Sequence, residues 1–124
     1  MSYLLGCAGG DEYILIGSAR VPSTAGLLTV DADDDSSEIE LTMEFLPPPQ
    51  ALSAKLTHYV AWILPPQGQA VRLGILSYVP RDRTATLTAE SISVPYKVQI
   101  TAESSATPPS PSENVVAEAA IPAD

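Results

Sequence analysis

Twelve prolines interrupt a chain of 124 residues. They stand at Pro22, Pro47, Pro48, Pro49, Pro65, Pro66, Pro80, Pro95, Pro108, Pro109, Pro111 and Pro122. Inside a helix, a proline removes a hydrogen bond and clashes with the preceding turn. Punctuation this frequent suits short strands and loops, not long helices. The core must be built from what lies between. Aromatic residues are few (five Tyr, one Phe, one Trp), so Val, Ile, Leu and Ala carry it.

The segments between prolines read as strands. In Glu38–Leu46, Ile39, Leu41, Met43 and Phe45 alternate with Glu38, Glu40, Thr42 and Glu44. A period of two puts one set in a core and the other in water. Tyr13–Ala19, Leu27–Ala32 and Val71–Tyr78 are further strands. Thr84–Ala89 turns Ala85, Leu87 and Ala89 inward, and Tyr96–Ala102 turns Tyr96, Val98, Ile100 and Ala102 inward. His58–Leu64 (HYVAWIL) is nearly continuous in hydrophobicity and is expected to be covered on both faces. Gln50–Thr57 is the one place for a helical turn. About seven short strands separated by turns predict an all-β, antiparallel, immunoglobulin-like β-sandwich, with Trp62 as its core anchor. The length fits one domain. Residues 1–12 read as a leader or tether, 13–103 as the sandwich, and 104–124 as a Ser/Pro-rich linker. The last apolar run, Val115–Ile121, either adds a strand or stays a tail.

Formal charge is -9, and nine of the fifteen acids precede Gln50. Such a field repels phosphate backbones, so nucleic acid is excluded as a partner. Anionic membranes are repelled too, unless a covalent lipid supplies the attraction. The single cysteine, Cys7, rules out an intramolecular disulfide and a cysteine-based zinc cage.

Leu4-Leu5-Gly6-Cys7 resembles a bacterial lipobox, followed by Ala8-Gly9-Gly10 and an acidic pair. The resemblance implies that Cys7 carries lipid and that 8–12 form a leash. Ala8, standing where an aspartate would retain a lipoprotein at the inner membrane, implies the outer membrane. Only Met1-Ser2-Tyr3 precede the motif, with no positive side chain: either the start lies further upstream, with a positively charged and apolar leader, or Cys7 is a free cysteine and the pattern is accidental.

A second pattern spans 58–111. Tyr59-x-x-Trp62, a Pro/Gly turn and Leu73-Gly74-x-Leu76 are followed by Val98-x-Ile100-Thr101-x-Glu103 and a Ser/Pro segment. It resembles the extracytoplasmic C-terminal domain of anti-sigma-K-type factors. The resemblance implies a β-sandwich in the cell envelope or periplasm. Read further, it implies a sensor or regulatory domain as the alternative function. The family's sigma-binding segment and membrane helix have no counterpart here, so sigma-factor inhibition is not carried over.

Asp31, Asp33 and Asp35 alternate as in a calcium loop, but Ser36 stands where the sharp turn needs Gly and Thr42 where a bidentate Glu belongs. A solvated acidic turn is the expectation, with calcium contact a weak candidate. His58 is the only histidine, and no nucleophile elbow or phosphate loop accompanies it. Glu38/Glu40 and Glu40/Glu44 share one wet strand face and would need a cleft to act as a glycosidase pair. No enzyme activity and no cofactor are expected. The reading is a non-enzymatic envelope module acting in binding or structural support, through a protein partner or self-association.

Overall fold

A computed structural model describes residues 11–32, 37–91 and 96–121. Among them lie nine strands: β1 (Asp11–Gly17), β2 (Ala25–Ala32), β3 (Ser37–Glu44), β4 (His58–Leu64), β5 (Val71–Ile75), β6 (Ser77–Val79), β7 (Thr84–Ser91), β8 (Tyr96–Glu103) and β9 (Val115–Ile121). One helical turn, α1 (Pro49–Leu52), starts on a proline, which suits the first helical position.

All nine strands form one antiparallel sheet, in the order β5-β4-β8-β9-β1-β2-β3-β7-β6. The all-β, antiparallel expectation holds. The seven-stranded immunoglobulin-like sandwich does not, and two segments explain why. Val115–Ile121 is an inner strand lying between β8 and β1. It joins what would otherwise be two sheets. The run read as one strand, Val71–Tyr78, bends at Leu76, whose N–H still donates to Tyr59 C=O at 2.9 Å. Before the bend it pairs with β4; after it, with β7. The two ends of the sheet are therefore consecutive in the chain. Beside that bend, a Cβ on Gly74 would stand 3.0 Å from Leu87 Cδ1, so β5 packs against β7. The sheet curls into a nearly closed barrel. Sandwich and barrel demand the same inward/outward alternation, which is why periodicity alone does not separate them.

The interior is filled by Leu15, Leu28, Ile39, Leu41, Met43, Tyr59, Ala61, Ile63, Val98, Ile100 and Val116, all buried. Phe45 is not among them. It adopts φ 58° and is 66% exposed, while Leu46 enters the core instead. A left-handed residue at the end of β3 flips the alternation by one position, and an aromatic side chain adopts that conformation only under strain. Thr24 Oγ1 donates to Phe45 C=O at 2.6 Å and Leu46 N–H to Arg83 C=O at 2.9 Å, fixing the corner.

Candidate functional site

Cross-strand register arranges the outside of β1, β2, β3 and β7 in rows, because registered residues share a face. One row runs Ile16–Ala25–Glu44, the next Ile14–Leu27–Thr42–Thr86, and the next Glu12–Thr29–Glu40–Thr88. A further row holds Asp31, Glu38 and Glu90. These four strands contain no Lys, Arg or His. Into this anionic face are set Ile14, 63% exposed, Ile16, 70% exposed, and Leu27. An open hollow of about 430 Å³ lies among Ile14, Ala25, Gly26, Leu27, Thr42 and Glu44. Ala25 stands opposite Ile16 and leaves room beside it, while Leu27 stands opposite Ile14. Gly26 cannot be enlarged: a Cβ there would meet Met43 Sδ and Thr42 C=O.

A second pocket, of about 340 Å³, opens at one end of the barrel between α1 and the start of β4. His58, Tyr59, Tyr78, Pro48, Pro49 and Pro80 line it. Both tyrosine hydroxyls in it are engaged. Tyr59 Oη donates to Pro47 C=O at 2.5 Å, and Tyr78 Oη to Leu46 C=O at 2.6 Å. The two rings meet edge to face at 5.8 Å. Burial, reinforced by Tyr78, pushes the Tyr59 phenol far above its ordinary range. Burial raises the Tyr78 phenol too, against the opposing pull of Arg83. His58 Nδ1 lies 2.7 Å from Thr57 Oγ1. This pocket pins the chain between β3 and α1 to the barrel, a structural duty.

The outside of β4 and β8 is different again. Trp62 is 1% exposed and sits on the side of β4 opposite Tyr59, Ala61 and Ile63. Its Nε1–H donates to Thr101 Oγ1 at 2.9 Å, and Thr101 Oγ1 donates to Glu103 Oε2 at 2.5 Å. Ser112 N–H reaches the same carboxylate oxygen at 2.9 Å, and Ser112 Oγ donates to Ala102 C=O at 3.1 Å. The Ser/Pro-rich segment between β8 and β9 thus returns over this face, with Pro108 buried in it. Two hydrogen-bond donors thus converge on Oε2 of the buried Glu103 carboxyl.

The sequence-derived site residues do not converge. Cys7, Asp33 and Asp35 lie outside the described residues, as does the Tyr96 side chain. Asp31 is exposed at the end of β2, and among the described residues no group of three metal-ligating side chains is assembled. His58 and Trp62 share the outer side of β4. The carboxylates of Glu38, Glu40 and Glu44 stand in water on the face that holds the hollow. Sequence reasoning missed Ile14 and Ile16, counting them with an apolar strand. No clear signal could have found them: Glu12 shares their strand face, but Asp11 shares the face of Tyr13 and buried Leu15, so acid parity does not say which side is wet.

No protein-family profile matches the chain, and no curated protein matches it.

Proposed function

We propose that the chain is a non-enzymatic β-barrel module of a bacterial cell envelope. It is held at the outer membrane by lipid on Cys7 and acts by binding a protein partner. The observation that supports binding is the group Ile14, Ile16 and Leu27, exposed together on a face rich in carboxylates and threonines. Bare isoleucines scattered singly need no explanation, but a contiguous apolar strip beside a hollow is a feature of interaction surfaces. The tether reading rests on Leu4-Leu5-Gly6-Cys7. Cys7 and the strip would divide the work, one setting location and the other contact. Acyl chains bury methylenes at ~0.8 kcal/mol each, so two or more give stable attachment despite an acidic domain.

The tether is tested in a bacterial host by expressing the chain with its upstream coding sequence. The protein should incorporate palmitate and partition into detergent, and Cys7→Ser should move it to the soluble fraction. Wild-type protein that stays soluble with a freely reactive thiol would remove the envelope assignment. The binding assignment would then stand or fall on the strip alone.

A further inference from the structure

Resting on the binding reading above, we infer that the outer face of β1–β3 docks a basic, extended protein segment that presents basic and apolar side chains in turn along one side. The apolar row Ile14–Leu27 runs between two rows that carry carboxylates: Glu44 on one side, Glu12 and Glu40 on the other. All of these side chains are exposed. Ile14 and Ile16 lie two residues apart on one strand face, the spacing at which an extended partner presents side chains to one side. A partner with basic and apolar residues taking turns at every second position, all on the side facing the sheet, would seat the apolar side chain in the hollow by Ile14 and Leu27. Its Lys or Arg, two residues to either side, would lie against Glu44 and against Glu12 and Glu40.

Charge decides among occupants. A second copy would oppose like-charged rows on a chain of formal charge -9. An anionic lipid surface would meet the same repulsion. A basic segment converts that field into attraction and faster encounter.

The probe is a short synthetic peptide with Lys and Val taking turns at every second position and Thr between them, titrated into the full chain at low and moderate salt. Two variants accompany wild type. Ile14→Ser/Ile16→Ser removes the anchors, and Glu40→Gln/Glu44→Gln removes charge. All these positions are exposed, so circular dichroism and Tm should match wild type. We expect binding that weakens about tenfold or more in the isoleucine variant, loses strength in the glutamine variant, and falls with salt. Should a Glu/Val peptide bind equally well, and still depend on the isoleucines, the basic class is wrong while the docking surface survives. Equal Lys/Val binding by wild type and the isoleucine variant would reduce the effect to net charge and overturn both readings. No binding by wild type overturns the inference. So does concentration-dependent dimerisation abolished by Ile14→Ser/Ile16→Ser, which would make the occupant a second copy. Wild-type binding to phosphatidylglycerol vesicles that exceeds peptide binding would replace the protein partner by lipid.

Discussion

On the outside of β4 and β8, Val60, Trp62, Thr101 and Glu103 are all buried; on the outside of β1, β2, β3 and β7, Ile14, Ile16, Thr42, Thr86 and the glutamates are exposed. Both sets point away from the barrel interior. The first lies where residues 104–114 return over the sheet and donate hydrogen bonds into it. The second has no such segment over it among the described residues. The lesson is that burial on the outer side of a barrel must be supplied by more chain. Where none is supplied, an apolar residue waits for a partner or stays wet.

The comparison breaks most easily at Trp62. Trp62→Ala removes a large buried side chain and the N–H that donates to Thr101 Oγ1. It should cost roughly 3–5 kcal/mol in urea unfolding. A loss below about 1 kcal/mol would place Trp62 with the exposed set and erase the difference between the faces. Thr101→Val keeps the shape but strips the indole N–H and the Glu103 carboxylate of a partner each. The expected cost is about 1–3 kcal/mol, because buried polar groups left unsatisfied lose their full solvation. A neutral result would mean water already reaches that network.

The inward-facing Tyr59 gives a third reference. Tyr59→Phe should cost about 1 kcal/mol, the net worth of its bond to Pro47 C=O. It should also flatten the alkaline limb of the stability curve. The sign follows from linkage. The phenol is raised in the folded state above its unfolded value of 10.0. Its contribution is therefore complete below pH 10 and lost as pH climbs beyond it, when the unfolded chain sheds the proton first. Unfolding measured from pH 9 to 11.5 should show wild type losing stability faster than Tyr59→Phe. Smallest of all, Ile14→Ser/Ile16→Ser should change unfolding free energy by no more than about 0.5 kcal/mol. A larger loss would mean that the strip serves the fold.

Much of this contrast is legible in residues. HYVAWIL has no wet face in its pattern, and both faces of β4 are covered. Glu38, Glu40, Thr42 and Glu44 alternate with Ile39, Leu41 and Met43, and β3 is bare on one side. Closure was not legible. Nothing in the spacing of 71–79 announces that its halves bond to opposite ends of the sheet. Nothing in Val115–Ile121 says that it lies between β8 and β1. Both are outcomes of pairing between residues far apart in sequence, where local propensity is silent. Phe45 failed for a local reason: a single left-handed residue shifts the parity that the pattern assumes. The strip was not legible: Glu12 shares the parity of Ile14 and Ile16 but Asp11 that of Leu15, and whether an isoleucine is covered depends on the rest of the fold.

Both faces can be read in one titration. The chain holds a single Trp, so its indole N–H gives one resonance for the covered face. Assigned isoleucine and leucine methyls report on the bare one. On adding the Lys/Val peptide to the full chain, the methyl signals of Ile14, Ile16 and Leu27 should shift progressively while the Trp62 indole signal stays fixed. Shifts centred on Trp62, with the three methyls unmoved, would contradict the account.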